Sequence, residues 1–350
     1  MKIALVGLGA IGAIIAADMA KNGYPVYIPC KHQETLDIVK KRGIKITGLD
    51  GEYIVKDNLY PVLTIEDLPE ELDLVFLVTK LNDIEDAVAR LKGKLSTNYT
   101  IITMTNGMIE EKLCPELGSD HLLGCVTSFG ATKTGHAEAD KTSSGEMVIG
   151  RLDGQKRKVD DQIVEMLSAT VPTTWSDDVR NKKFSKLLIN LSVASFGVIS
   201  GMTLGEMLQR KMTRIAFLTV LTEGAKVADL KGIEIQKLNG LNLSFLALKK
   251  KELHGFSIKH FLQHLIIKII RRKYKDLKSS SLQSIERGKK TEIDFLNGYL
   301  IGEGEKYGVE TPLNKYVLES ILEIEDGKDK PSIEGLERLE QKTREIWGLS

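Results

Sequence analysis

The stretch KFSKLLINLSVASFG, residues 183–197, sets Lys186 and Asn190 into an otherwise apolar run. Four residues apart, they share one face of a helix, while Leu187, Leu188, Ile189, Leu191 and Val193 cover nearly every other direction. A helix that is apolar all round is normally buried, and burying an ammonium is costly unless something offsets it. Desolvation also pulls a lysine's pKa down toward neutral pH, so such a group is able to give up a proton. A carboxamide one turn on adds a hydrogen-bond donor and acceptor. The chemistry this pair suits is proton donation to an oxygen that gains negative charge, with an amide beside it to hold the reacting molecule. The competing reading is a lysine whose stem packs on the helix while its head reaches water.

A second set of residues speaks for a nucleotide. KIALV (2–6) reads as a buried strand running into GLGAIG, where Gly7, Gly9 and Gly12 open the helical stretch AIIAADMAKNG. A second strand, PVYIPC (25–30), follows. In this strand–turn–helix–strand setting the first glycine permits the tight turn, the second lets the backbone approach a pyrophosphate, and the third lets helix and strand pack closely. The free N–H groups of the helix N-terminus then face the phosphates. NAD sites usually carry an acidic residue at the end of the second strand, for the ribose 2′-hydroxyl. Here Cys30 is followed by Lys31 and His32, and a cation there suits a 2′-phosphate, which favours NADP.

These residues need elements to position them. LDLVFLVTK (72–80) reads as a strand ending at Lys80, DIEDAVARLKGKL as a helix, and YTIITMTNG (99–107) as a strand ending at Asn106 and Gly107. Ligands of open parallel sheets bind beyond the carboxyl ends of the strands, where Lys80 and Asn106 fall. HLLGCVTSFGAT (121–132) and GEMVIG (145–150) supply later strands and VDDQIVEMLSAT a further helix, so residues 1–173 are expected to form a doubly wound α/β sheet. Residues 174–350 are expected to be all-helical, with helices over 183–197, 205–232 and 311–325, and either a pair or one long helix over 279–308. A basic stretch of about 240–275 interrupts them. A basic amphipathic helix is able to lie on a membrane or meet a partner; the favoured expectation is a solvated insertion whose leucines and isoleucines dock on the core. His254, His260 and His264 lie here. The 260/264 spacing suits a metal, but no accompanying carboxylate completes a ligand set, so none is assigned.

Composition sets outer bounds. The chain has 350 residues, enough for two domains, and a formal net charge of +1, so no global basic field argues for nucleic acid. Cys30, Cys114 and Cys125 show no ligand-like spacing and read as reduced, buried thiols. Glycines break the N-terminal apolar run, which argues against a signal peptide. No apolar run is long enough to span a bilayer. A cytoplasmic protein is expected.

GLGAIG, Lys80, the TNG of 105–107, KLLIN at 186–190 and SSSLQSIERGKKTEIDFLNG at 279–298 together resemble the ketopantoate reductase family over almost the whole chain. The resemblance implies a Rossmann-type domain followed by an all-α domain, with the active site in the cleft between them. It implies NADPH-dependent reduction of 2-dehydropantoate to pantoate, on the route to pantothenate and coenzyme A. It makes Lys186 the general acid and places Asn190 and Glu292 in the substrate site, Glu292 offsetting the ammonium or taking a substrate hydroxyl. Ser280 matches a serine that binds the substrate carboxylate, and Gly7, Gly9, Gly12, Lys31, Lys80 and Asn106 fall on cofactor-contacting positions. Taken singly, Glu292 also reads as a surface charge and Ser280 as a helix N-cap. The chain departs from the family pattern at Ala194, where a second asparagine is common, and at Thr105, where glutamine is. Those departures leave the redox chemistry intact and open a second reading, a reductase of another 2-oxoacid or of an imine. A third reading is a non-catalytic NADPH-binding regulator that uses the basic segment to meet a partner or an anionic lipid surface. The expected partner is a small-molecule 2-oxoacid; a homodimer is compatible with the sequence.

Overall fold

The computed structural model describes residues 1–238, 241–249, 253 and 257–349. It divides into two compact units, Met1–Lys183 and Phe184–Ser350.

In the first unit, short apolar segments alternate with helices. The strands are β1 (Ile3–Val6), β2 (Val26–Pro29), β3 (Ile44–Gly48), β4 (Tyr53–Val55), β5 (Leu59–Val62), β6 (Leu72–Leu77), β7 (Leu95–Thr103), β8 (Leu122–Thr127), β9 (Gly130–Gly135), β10 (Glu138–Ser143), β11 (Met147–Arg151) and β12 (Thr173–Trp175). Between them run α1 (Ala10–Lys21), α2 (Gln33–Lys41), α3 (Leu81–Leu91), α4 (Ile109–Leu117) and α5 (Lys158–Ser168). The main sheet has the order β12-β11-β8-β7-β6-β1-β2-β5, parallel except where β11 meets β8. Its central strands β1 and β6 are buried on both faces and therefore read as near-continuous apolar runs: IALV in β1 and all but one residue of LDLVFL in β6.

The sequence does not announce the second sheet, β4-β3-β10-β9. β3 pairs with β10 in parallel, Ile46 opposite Ala139, across a separation no local pattern encodes. Helix α1 packs against both sheets. That explains why Gly12 through Ala20 are buried without a break: its alanines keep the helix thin enough to be covered on every side. Asp18 is the polar member of that run. It accepts a hydrogen bond from the Tyr53 hydroxyl, and burial raises its carboxyl above the ordinary value.

Burial also encloses an ion pair. Arg151, at the end of β11, donates from Nε and Nη2 to Asp160 on α5 at 2.8 and 2.6 Å, the two side chains being 1% and 0% exposed. Asp160 further accepts from the Arg157 backbone N–H at 2.8 Å, closing the first turn of α5.

The second unit is all-helical, as expected. α6 (Val179–Ser200) begins in the first unit and carries most of its length in the second. α7 (Leu204–Met207) and α8 (Lys211–Leu230) divide the single helix expected over 205–232. α8 is buried from Thr213 to Gly224 and crosses α6 at Gly224, where a side chain would strike Leu188 and Leu191. Helices Ser280–Glu286, Tyr299–Tyr307, Pro312–Glu325 and Ile333–Trp347 complete the unit. The stretch 279–308 is neither one long helix nor a simple pair, because a π turn at Asp294–Gly298 intervenes.

The basic insertion departs from expectation. Its helix, Ile258–Lys273, buries Gln263 and Ile267, whereas Ile258, Phe261, Leu262, Leu265 and Ile269 are exposed. His264 and His260 face each other, Nε2 to Nε2, at 3.1 Å, and Arg214 donates to His264 Nδ1 at 3.1 Å; burial, chiefly, pushes His264 down to about 4. His254 lies outside the described residues. Cys30 and Cys125 are buried, but Cys114 is only partly so. Among the described residues, no helix is long and apolar enough to cross a membrane.

Removing one partner of a buried ion pair leaves the other charge uncompensated, at about 3–5 kcal/mol. Asp160→Asn is therefore expected to lower stability by about that amount in chemical denaturation. The exposed-pair control Glu66→Gln, which removes a contact with Arg90, should leave the denaturation midpoint nearly unchanged.

Candidate active site

Register sets out the candidates of the first unit. Val6, Leu77 and Thr103 end neighbouring parallel strands at one level, and the ladder continues one step, Val78 N–H to Val6 O at 2.8 Å and Met104 N–H to Leu77 O at 2.9 Å. The loops that follow leave the sheet along one edge in the strand order β7-β6-β1-β2. Asn106, Lys80, Gly7 to Gly12 and Lys31 are thus set side by side.

The three glycines have different reasons to be there. Gly7 sits at φ +116°, and a side chain on it would meet the Val78 and Thr79 backbone at 2.5 Å. On Gly12 it would run into the Gly7 carbonyl. Both are demanded by the protein's own packing. Gly9 is not: its φ is −81° and a Cβ there would meet nothing within 4 Å. It is also the N-cap of α1, with no side-chain cap and no acidic residue in the first turn. Free N–H groups, a positive helix end and open space over a glycine form a cradle that suits a dinucleotide's pyrophosphate.

Lys31 is exposed and stands at φ +67° just past β2, its N–H bound to Leu63 O at 2.9 Å. A side chain in left-handed backbone is uncommon and costs energy, and here it turns the chain from the strand into α2. Lys80 is the N-cap of α3, and Asn106 is half-buried before Gly107 at φ +75°.

A feature invisible in the sequence lies under Asn106. Lys183, on the second turn of α6, is ion-paired with Glu110, the two being 2% and 0% exposed, and donates to the Thr105 carbonyl at 3.1 Å. Thr103 also donates to Glu110. The fully buried ammonium of KFSK is thus Lys183, while Lys186 is half-buried. Glu110 begins a helix and reads locally as a favourable first-turn acid; only the fold brings Lys183 to it.

In the second unit α6 gathers the remaining candidates. Lys186 and Asn190 stand one turn apart on it. Asn190 Nδ2 is buried and, among the described residues, has no hydrogen-bond partner. Farther along the same face, Ala194 and Gly197 receive the start of helix Ser280–Glu286. Ser279 donates to Ala194 O at 3.1 Å, and a side chain at Gly197 would sit 2.6 Å from Ser279 Oγ. Ser279 caps that helix by accepting from Leu282 N–H at 3.2 Å. Ser280 is therefore not the cap; it is the exposed first residue. On the adjacent face, Asn297 in the π turn accepts from Ser195 Oγ at 2.9 Å and donates to Leu191 O at 3.2 Å. It also donates to Asn314, which reaches Glu223. This buried chain fixes the segment beginning at Glu292, which is half-buried, and burial pushes the Glu223 carboxyl up. Ser195 thus serves the network. π turns inside helices are frequent at functional sites.

A dinucleotide cradle on a doubly wound sheet, followed by a helical unit presenting lysine, amide and carboxylate, defines the architecture of a two-domain nicotinamide-dependent oxidoreductase. Residues 3–154 match the family described as ketopantoate reductase PanE/ApbA and residues 178–325 its C-terminal part, so the chain belongs to the ketopantoate reductase family. It is 23% identical over 327 residues to the 2-dehydropantoate 2-reductase of Archaeoglobus fulgidus, covering 93% of this chain and 98% of the other. The fold is shared with a PanE/ApbA family ketopantoate reductase from Ralstonia eutropha (TM-score 0.78, 21% identity, 94% and 99% of the two chains). It is also shared with a D-mandelate dehydrogenase solved with NADH and anilino(oxo)acetate (TM-score 0.79, 20% identity, 93% and 99%).

The glycine geometry separates folding from binding. Gly9→Ala is expected to keep the thermal midpoint or raise it slightly, by up to about 1 kcal/mol of stability, while weakening nicotinamide dinucleotide binding in titration calorimetry at least tenfold. Gly12→Ala should instead lower stability by about 1–3 kcal/mol, because backbone has to shift to admit the methyl.

Proposed function

We propose that this protein reduces a 2-oxoacid with NADPH, converting 2-dehydropantoate to pantoate. The observation that carries the reading is the buried Asn190 Nδ2, unpartnered among the described residues, one turn from Lys186. A buried donor left unsatisfied costs about 1–3 kcal/mol, and a substrate oxygen would satisfy it.

The nicotinamide, when bound, supplies the hydride. The chain's own residues do the rest. As negative charge grows on the ketone oxygen, the Lys186 ammonium stabilises it and passes a proton to it, leaving the alcohol and a neutral amine that reprotonates from solvent. Asn190 donates from Nδ2 to a substrate oxygen and sets the ketone's orientation. Glu292 holds the ammonium in place or accepts a substrate hydroxyl. Ser280, exposed at the start of its helix, offers its hydroxyl and a helix N-terminus to the substrate carboxylate. On the first unit, Gly7, Gly9 and Gly12 cradle the pyrophosphate, Lys80 and Asn106 line the dinucleotide at the sheet edge, and Lys31 takes the 2′-phosphate.

A second reading, another 2-oxoacid as substrate, is favoured by two positions. Ala194 offers only a methyl, its carbonyl already engaged by Ser279. Thr105 presents a buried hydroxyl with no partner among the described residues. Comparing kcat/KM over a panel of 2-oxoacids decides between the readings: ketopantoate preferred over all others retires the second.

Lys186→Ala is expected to lower kcat by about 10²–10⁴-fold at unchanged NADPH affinity; full turnover in that variant would remove the mechanism. Lys31→Ala should raise the KM for NADPH roughly tenfold, the loss of one charge-assisted contact, and leave the KM for NADH alone. An equal effect on both cofactors would overturn the NADP assignment.

A further inference from the structure

The insertion helix Ile258–Lys273 is amphipathic the wrong way round. Toward the protein it sends polar groups. Gln263, fully buried, donates to Phe245 O at 2.9 Å and Ala247 O at 3.3 Å, and His264 receives Arg214. Ile267 is the buried apolar residue on that side. At about 100° per residue, Ile258, Leu262, Leu265 and Ile269 fall within about 60° of one another on the opposite side. They are 67%, 41%, 45% and 58% exposed, and Phe261 beside them is 65% exposed. The hydrophobic effect turns a free helix of this sequence the other way, and soluble monomers rarely display so continuous an apolar stripe without a use for it.

The charge on the helix says what covers that stripe. From Ile258 to Lys273 there is no acidic residue, and Lys268, Arg271, Arg272 and Lys273 flank or end the apolar face. A second copy of the helix offers no anion to meet these cations. An anionic lipid surface offers both what the stripe lacks and what the cations seek: acyl chains for the isoleucines, leucines and phenylalanine, and phosphates for the lysines and arginines. We propose that this helix docks the protein, reversibly and in the plane of the interface, on anionic bilayers. Its polar inner side, held by Gln263 and the histidines, keeps the apolar side outward. Sixteen residues, five of them cationic, lie on a membrane and do not cross it.

Co-sedimentation of the full-length protein with vesicles tests this. Binding is expected to phosphatidylcholine vesicles containing phosphatidylglycerol, not to phosphatidylcholine alone, and to fall with added salt. Phe261→Ser with Leu265→Ser should abolish it. Lys268→Gln with Arg272→Gln should weaken partitioning about 25-fold, near fivefold for each cation lost. Both pairs are at the surface, so circular dichroism and NADPH turnover in solution should match the unaltered protein. Absence of binding to the anionic vesicles, or equal binding to neutral ones, overturns the proposal. So does light scattering that shows a dimer which Phe261→Ser with Leu265→Ser converts to monomer, since a second copy then covers the face.

Discussion

A buried polar group must find a partner, and α6 is organised by that requirement. Its second turn carries Lys183, whose ammonium is satisfied by Glu110 and the Thr105 carbonyl. Its later turns carry Ser195 and the Leu191 carbonyl, which hold Asn297. Ala194 contributes a carbonyl to Ser279. Against these satisfied groups Asn190 Nδ2 stands out, buried and without a partner among the described residues. A buried polar atom left open in this way calls for an explanation, and the Thr105 hydroxyl and Glu110 Oε2 share that condition among the described residues.

The same requirement explains how the candidate residues are held still. A general acid works only at the right distance from its target, and a helix with leucines on most of its circumference does not rotate. Leu188 and Leu191 press on Gly224 of α8, and the Ser195–Asn297–Asn314–Glu223 chain clamps the π turn that follows Glu292. In the first unit the Lys183 contact fixes the Thr105 carbonyl just before Asn106. Rigid elements thus carry the site, and the polar networks behind them fix its register.

Much of this was legible in the sequence. The strands at KIALV, PVYIPC, LDLVFLVTK and YTIITMTNG followed from apolar runs and glycine positions, because a buried parallel strand has to be apolar and a dinucleotide turn has to be glycine-rich, whereas α2 and β3 to β5 between them were not read. The family motifs at 186–190 and 279–298 pointed to its site residues. Three features were not legible, each for want of a local signal. The β4-β3-β10-β9 sheet depends on pairing across some ninety residues. The fully buried lysine is Lys183 and not Lys186, because a helix's apolar pattern does not say which of its polar groups meets a carboxylate from another element. And the 258–273 helix turns its leucines outward, a choice made by Gln263 and Arg214 and not by its own periodicity.

By itself, then, the sequence determined the two-part architecture and the glycine-rich turn and singled out Lys186 as a candidate proton donor, since these rest on local needs: φ above zero, close backbone approach, helical spacing. Tertiary structure alone decided which polar groups are consumed within the protein and which stay open to a ligand. Partnership is settled by distance in space, and residues as far apart as Glu110 and Lys183 acquire theirs only when the chain has folded.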